Sequence, residues 1–199
     1  VCSVPLGVLK NKKIKFSPAH PKRYKKKIDR KGFGSVAKIA FKFDSAFWNP
    51  EVQYFGIVTE PKGKWNLWLN YRTFSEENIL LGLSVGAYAQ IADRMSDSEK
   101  VEDALSVLRT VWGAGVPRTL KMISTNWSED KYTFGAYSFP DKFSVPSYFD
   151  GLSEGISGDH YKTLFFCGEH TTFDYAGTLH GAFLTGIWIA EAIFDEENE

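Results

Sequence analysis

The sequence contains little cysteine and no long apolar run. Cys2 and Cys167 are the two cysteines among 199 residues, and their separation along the chain does not indicate a disulfide framework. A reducing, intracellular compartment is therefore expected, with no preference among cytoplasm, nucleus and peroxisome. No segment approaches the roughly 20 apolar residues that span a bilayer, and no signal peptide is visible. The sequence thus predicts no membrane partner.

Net charge is also lacking, because 24 Lys and Arg residues balance 24 Asp and Glu residues. The charges are unevenly placed, however: residues 10–31 hold 11 of the basic residues, and residues 195–199 form an acidic end. A basic segment can contact nucleic acid, chromatin or an anionic membrane surface. No aromatic residues recur in it at stacking intervals, so a solvated loop with a short helix is the favoured interpretation.

Hydrophobic periodicity predicts a mixed α/β fold. Residues 36–43 alternate with a period of two, so that Ala37, Ile39, Phe41 and Phe43 share one face of a strand. Ser96 and Glu99 form a capping box ahead of a helix that Gly113 ends. A short helix is predicted near Ser147, and further strands are predicted at residues 1–8, 64–72, 78–85 and 119–125.

Metal chemistry is not indicated by the four histidines. His20, His160, His170 and His180 show no spacing to cysteines or carboxylates that suits zinc or iron. Nor does the sequence contain a serine nucleophile elbow or a Walker loop.

One segment combines an apolar strand, a carboxylate, a tight loop and a helix. It consists of Leu164-Phe165-Phe166-Cys167-Gly168-Glu169-His170-Thr171 and Gly177-Thr178-Leu179-His180-Gly181-Ala182. The strand would place Glu169 at the carboxyl edge of a sheet, where carboxylates accept hydrogen bonds from ribose or ribityl hydroxyls. The helix, predicted over residues 178–194, would direct its positive end toward the negative charge of a reduced flavin. This arrangement indicates a flavin dinucleotide site.

The segment closely resembles the carboxyl-terminal signature of the flavin-dependent amine oxidases. That family comprises polyamine oxidases, monoamine oxidases and flavin-type lysine-specific histone demethylases. Other landmarks resemble the family in order and spacing, and together they cover nearly the whole chain: Val4-Pro5-Leu6-Gly7-Val8-Leu9-Lys10, Gly32-Phe33-Gly34-Ser35-Val36-Ala37-Lys38, Phe47-Trp48, Asn126-Trp127 and Gly135-Ala136-Tyr137-Ser138.

The resemblance implies the carboxyl-terminal part of a two-domain protein. A Rossmann-like FAD-binding portion would comprise residues 1–15 and 161–199, and residues 16–160 would belong to a substrate domain with a mixed β-sheet and helices. The Gly-x-Gly-x-x-Gly phosphate fingerprint is absent, because Gly32-Phe33-Gly34 lacks the third glycine and precedes a strand. A fragment is therefore expected, which would bind FAD poorly and be inactive without the amino-terminal part of the same protein.

The resemblance also implies roles for single residues. Lys38 would hold a water against flavin N5 and favour electron transfer to oxygen. Trp127 would pack near the flavin ring, and Tyr137 would form a wall of an aromatic cage around the substrate amine. Tyr132 and Tyr175 are weaker candidates for substrate contacts. The residue pattern alone favours a solvent-facing Lys38 and ordinary core packing of the aromatic residues.

The cofactor contacts implied by the resemblance lie in the carboxyl-terminal segment. Glu169, Gly168, Gly177, Thr178 and Leu179 would contact FAD together with Trp127. Ala136 stands where monoamine oxidases carry the cysteine that bonds to flavin, so the FAD is expected to be noncovalent.

The implied activity is FAD-dependent oxidation of a polyamine-type amine. A hydride would pass to flavin N5, the imine would hydrolyse, and oxygen would be reduced to hydrogen peroxide. One alternative is a flavin-dependent histone lysine demethylase. An alternative of another class is a noncatalytic binding module that keeps the amine oxidase fold and uses residues 10–31 to contact an anionic partner.

Overall fold

The computed structural model describes residues 1–17, 19–157 and 162–198. His160, Tyr161 and Glu199 lie outside the described residues. The helices are α1 (Leu6–Lys10), α2 (Lys22–Asp29), α3 (Ala87–Arg94), α4 (Asp97–Trp112), α5 (Pro146–Phe149) and α6 (Leu179–Asn198). The strands are β1 (Gly32–Phe33), β2 (Val36–Phe43), β3 (Tyr54–Gly56), β4 (Leu67–Asn70), β5 (Ile79–Val85), β6 (Thr119–Ser124), β7 (Ser138–Phe139), β8 (Ile156–Ser157) and β9 (Lys162–Leu164).

The chain forms two compact units, and the fold is mixed α/β. One unit comprises Val1–Gly34 with Asp130–Glu199, and the other comprises Ser35–Glu129. We call them the terminal unit and the central unit. Their boundaries differ from the division at residues 15 and 161, which concerns functional domains and stays a prediction.

The central unit is built on a five-stranded sheet with the order β3-β4-β5-β2-β6. All of its pairings are antiparallel, whereas the resemblance implied a mixed sheet. The predicted alternation in β2 is confirmed, because Ala37, Ile39, Phe41 and Phe43 are buried and Lys38 is exposed. The buried face packs against α3 and α4 in the core of this unit.

The predicted helix after Ser96 is confirmed as α4. The Ser96 side chain accepts a hydrogen bond from the Glu99 N–H, and the Glu99 carboxylate accepts one from the Ser96 N–H at 2.8 Å. Gly113 ends the helix with a φ of 62°, a value that suits glycine. The expected strand at residues 119–125 corresponds to β6. Neither α3 nor β3 was predicted.

In the terminal unit, the predicted strand at residues 1–8 is wrong for its second half. Cys2 makes an isolated parallel bridge with Phe166, but α1 begins at Leu6. Pro5 directly precedes the helix, and the periodicity of so short an apolar run does not separate helix from strand. Residues 164–167 likewise do not form one strand. β9 ends at Leu164, and after it only Phe166 is paired, through its isolated bridge with Cys2.

A small core fills the terminal unit between α1, α2 and the segment around Phe166. It contains Leu6, Leu9, Tyr24, Ile28, Leu152 and Phe166. Cys2 packs against this core, whereas Cys167 packs with Phe165 and Ile189 in a separate cluster. None of the helices in the described residues combines the length and the apolar character needed to cross a bilayer.

Candidate functional site

A hydrogen-bonded turn holds the Glu169 carboxylate in the terminal unit. The turn spans Glu169–Thr171, and the carboxylate accepts hydrogen bonds from the Ser138 N–H, the Ser138 hydroxyl at 2.5 Å and the Gly177 N–H at 2.7 Å. These contacts join the turn to β7 and to the loop before α6. A carboxylate has about four acceptor positions, so Glu169 retains capacity for a further donor.

Helix α6 begins directly after that loop. The Thr178 hydroxyl accepts a hydrogen bond from the Gly181 N–H at 3.0 Å and donates one to the Tyr175 carbonyl at 2.7 Å. Thr178 therefore caps the helix, while the first amide groups of the helix have no acceptor within it. The Leu179 side chain is 89% exposed, so this helix start presents both polar and apolar groups.

Two glycines permit close approach around the carboxylate. Gly177 has a φ of +74°, and a Cβ placed there would lie 3.1 Å from the Ser138 carbonyl oxygen and 3.2 Å from the Tyr137 ring. Gly168 has a φ of +133°, and a Cβ there would lie 2.8 Å from the His170 ring. A side chain at either position would be strained, which explains why the sequence places glycine there.

His170 and Lys31 lie buried beside the Glu169 turn. The Lys31 ammonium donates a hydrogen bond to the His170 carbonyl oxygen at 2.5 Å. The His170 Nε2 is buried and has no hydrogen-bond partner among the residues that the structure describes. Burial, and to a smaller extent the charge of Lys31, lowers the pKa of His170 to about 3, so this imidazole is neutral at physiological pH.

The three candidate tyrosines lie in the terminal unit but differ in their surroundings. Tyr137 is half exposed and packs beside Gly177. The ring centroid of Tyr175 lies 5.2 Å from that of His180. The Tyr132 ring is 68% exposed and has the Lys131 ammonium 4.9 Å from its centroid. One face of Tyr132 thus already carries a cation.

Lys38 and the segment before Trp127 are joined in the central unit. The Lys38 N–H donates to the Thr125 hydroxyl at 2.9 Å, and the Thr125 N–H donates to the Lys38 carbonyl at 3.0 Å. The Lys38 side chain projects from the sheet face opposite the core, in register with Leu83 of β5. Leu83 is in turn in register with Leu67 of β4, so Lys38 stands on a largely apolar face.

Two buried charged residues hold the segment that carries Trp127. The Lys100 ammonium donates to the Thr125 carbonyl at 3.1 Å and to the Asn126 side-chain oxygen. The Asp93 carboxylate accepts a hydrogen bond from the Ser128 N–H at 2.8 Å. Burial lowers the pKa of Lys100, although Asp93 and Asp97 oppose this. Residues on both sides of Trp127 are therefore fixed to α3 and α4.

The structure brings the predicted residues together in two sets. Within the terminal unit, Glu169, Gly168, Gly177, Thr178, Leu179 and the tyrosines Tyr137 and Tyr175 cluster around one loop and the start of α6. Within the central unit, Lys38 and Trp127 are linked through Thr125. Ala136 is the residue whose missing thiol led to the expectation of noncovalent FAD. Its N–H donates a hydrogen bond to the Gly34 carbonyl oxygen at 2.8 Å.

Sequence reasoning missed Lys31, Lys100 and Ser138. Lys100 carries a recognisable signal, because it continues the buried α4 stripe of Ala104 and Leu108. A lysine at an apolar position of a helical stripe indicates a buried ammonium. Lys31 lies beyond the end of α2 at Asp29 and carries no such signal. Ser138 has no such signal, because its partner Glu169 is 31 residues away.

These features fit a flavin nucleotide. The Glu169 carboxylate is fixed by protein donors and still able to accept a hydrogen bond from a hydroxyl. The first amides of α6 that Thr178 does not bind suit a negatively charged group. Among the described residues, no group of three or more His, Cys, Asp or Glu side chains could hold a metal ion.

A comparison with family models identifies the class of protein. The model for flavin containing amine oxidoreductases matches residues 1–194. The chain therefore belongs to this family, which confirms the resemblance seen in its motifs and implies a flavin cofactor.

Curated relatives and a solved structure agree with this assignment. The chain is 36% identical over 193 residues to "Lysine-specific histone demethylase 1 homolog 1" of Arabidopsis thaliana, a match that covers 94% of this chain and 22% of the relative. It is 37% identical over 193 residues to "Protein FLOWERING LOCUS D" of the same plant, covering 94% of this chain and 24% of the relative. The chain thus spans about a quarter of the length of such relatives.

The solved structure is that of a putrescine oxidase bound to putrescine. It superposes with a TM-score of 0.74 at 17% sequence identity, covering 96% of this chain and 41% of that chain. At this identity the similarity concerns the fold.

Proposed function

We propose that the complete protein is an FAD-dependent amine oxidase that acts on methylated lysine side chains. The observation that carries the substrate assignment is the 36% identity, over 94% of this chain, to a protein named as a lysine-specific histone demethylase. The proposed cofactor is noncovalent FAD, because Ala136 offers no thiol for a bond to the flavin.

The residues of the terminal unit would bind and orient the cofactor. Glu169 would accept a hydroxyl of the ribose or ribityl chain, and its three protein donors would keep the carboxylate in place. Gly177, Thr178 and Leu179 would present backbone and side-chain groups at the start of α6, and Gly168 would let the turn approach closely. When bound, FAD would supply the oxidising chemistry by accepting a hydride from the carbon next to the amine nitrogen.

The residues of the central unit and the tyrosines would act on substrate and oxygen. Lys38 would orient a water molecule and place positive charge where oxygen is reduced to hydrogen peroxide. Trp127 would pack near the flavin ring, and Tyr137 would orient the substrate amine through its ring. Tyr175 and Tyr132 are further proposed substrate contacts.

A polyamine is the second candidate substrate. Within the described residues of the central unit, the longest helix is α4 with 16 residues, so this part of the chain carries no long helical insertion. That observation suits a small-molecule oxidase as well as a demethylase.

The deciding experiment is an absorbance spectrum of the purified complete protein. The spectrum is recorded without oxygen, before and after addition of a dimethyl-lysine histone peptide or of spermine. We expect the peptide to bleach the flavin bands. A trimethyl-lysine peptide is the matched control, because its nitrogen has no lone pair to assist loss of a hydride and it should leave the bands unchanged.

Each other outcome identifies a different function. Bleaching by spermine alone would establish the polyamine oxidase, and it would refute the demethylase assignment. A protein without flavin would refute the oxidase and favour a noncatalytic module that contacts an anionic partner through residues 10–31.

A further inference from the structure

Lys31 is a buried cation that the proposed chemistry does not use. It lies between α2 and β1, and its side chain is 1% exposed. Its ammonium donates to the His170 carbonyl oxygen at 2.5 Å and lies 5.0 Å from the centroid of the Phe149 ring. In the part of the chain that the structure describes, Lys31 forms no ion pair with a carboxylate.

Packing alone does not account for a lysine at this position. Burying an ammonium without a paired carboxylate is costly, and an apolar side chain would fill the same volume at lower cost. The hydrogen-bond acceptor of Lys31 belongs to the residue directly after Glu169. The positive charge therefore lies against the turn that carries the proposed cofactor carboxylate.

We propose that Lys31 is a positioning residue for Glu169, and that its positive charge strengthens the binding of FAD to the complete protein. This inference rests on the proposed function. The ammonium holds the backbone of the turn through its hydrogen bond to the His170 carbonyl oxygen. FAD itself is anionic, so a cation beside its site also favours binding through space.

Burial and the charged groups around Lys31 set the pH at which its ammonium loses a proton. Burial lowers the pKa of Lys31 from 10.5 to about 7; Glu169 and Asp150 act against this decrease, whereas Lys27 and Lys10 add to it. The His170 imidazole remains neutral across this range because burial lowers its own pKa to about 3. If FAD prefers the charged form of Lys31, binding of FAD weakens as the pH rises through the pKa of this lysine.

The test measures FAD affinity against pH in the complete protein. After removal of bound FAD, flavin fluorescence gives the dissociation constant between about pH 6 and about pH 9. We expect a loss of about tenfold in affinity across this range, the size of one charge-assisted hydrogen bond. Lys31→Met should bind FAD more weakly at the lower pH and show no such slope.

Lys27→Met is the matched control. Lys27 also donates to a backbone carbonyl, that of Gly151, but it pairs with Glu154 at 3.2 Å. This variant should keep a pH slope, with its midpoint moved to higher pH because the charge of Lys27 no longer lowers the pKa of Lys31. Lys31→Arg, which retains its charge at every pH used, should bind FAD with a flat profile and provides the test if Lys31→Met does not fold.

Two results would overturn the inference while the oxidase assignment stands. One is an unchanged affinity and slope in Lys31→Met, and the other is a weaker affinity with the original slope, which would assign Lys31 a packing role. A complete protein that binds no FAD at all would refute the proposed function and this inference with it.

Discussion

At the scale of single residues, a comparison of Lys38 with Lys42 tests whether Lys38 has a chemical role or is simply an exposed lysine of β2. Lys38 and Lys42 project from the same face of β2, but Lys42 pairs with Glu77. We expect Lys38→Met in the complete protein to slow flavin reduction or reoxidation about 100-fold, the usual effect of losing an electrostatic group at a reacting centre. Lys42→Met is the control and should change these rates less than about twofold.

Stopped-flow absorbance measures both rates for this pair of variants. Equal rates in Lys38→Met and the unmodified protein would show that Lys38 is an ordinary surface lysine of the sheet. That is the interpretation that the strand pattern alone favours.

Lys31 gives a second prediction at this scale, on stability. Its folded-state pKa of about 7 lies below its ordinary value of 10.5, so between these pH values the unfolded chain binds more protons. The free energy of unfolding therefore rises with pH in that window. At low pH, this pKa shift corresponds to a cost of ~5 kcal/mol in folding free energy for burying the charged ammonium. The hydrogen bond to the His170 carbonyl oxygen offsets ~1–3 kcal/mol of that cost.

Lys31→Met should consequently stabilise the complete protein by ~2–4 kcal/mol near about pH 6. The gain should shrink steadily as the pH approaches about 10, because the unmodified protein then carries a neutral lysine. Urea unfolding at several pH values measures this difference. A variant that is less stable at every pH would mean that the hydrogen bond outweighs the cost of burying the charge.

At the scale of elements, α4 positions the segment that carries Trp127. Lys100 joins this helix to the Thr125 carbonyl and the Asn126 side chain. Lys100→Met should lower the free energy of unfolding by ~1–3 kcal/mol, because two partly buried acceptors lose their donor. Arg109→Met on the same helix removes an exposed ion pair with Glu102 and should cost less than ~1 kcal/mol.

Urea unfolding of both variants checks this prediction, and hydrogen exchange of residues 124–128 shows whether the segment loosens. Equal effects of the two substitutions would mean that the buried contacts of Lys100 do not hold the segment.

The elements that the sequence predicted are those with complete local signals. β2 has a full alternation over its length, and α4 has both a capping box and a terminal glycine, so each could be located without tertiary information. By contrast, α1 has five residues and α3 has eight, too few for the apolar pattern to separate helix from strand. Their conformations depend on packing within each unit.

The candidate site shows the same limit. Motifs identified Glu169, Gly177 and Thr178 because these residues are close together in sequence. The Ser138 donors to Glu169 and the Thr125 link to Lys38 join residues 31 and 87 positions apart, and only the folded chain reveals them. The roles of all these residues toward FAD and substrate stay predictions.

At the scale of the whole molecule, cofactor binding should require more than these 199 residues. The chain supplies a carboxylate and a helix start for the flavin, but its sequence has no Gly-x-Gly-x-x-Gly segment to hold a pyrophosphate. We therefore expect the isolated chain to bind FAD at least ~100-fold more weakly than the complete protein, which corresponds to a loss of ~3 kcal/mol of binding free energy.

Isothermal titration of both proteins with FAD gives the two dissociation constants, and circular dichroism establishes that the isolated chain is folded. Tight, stoichiometric binding by the folded isolated chain would show that these 199 residues contain a sufficient flavin site, and the role of the glycine fingerprint would then need to be assigned to other residues of this chain.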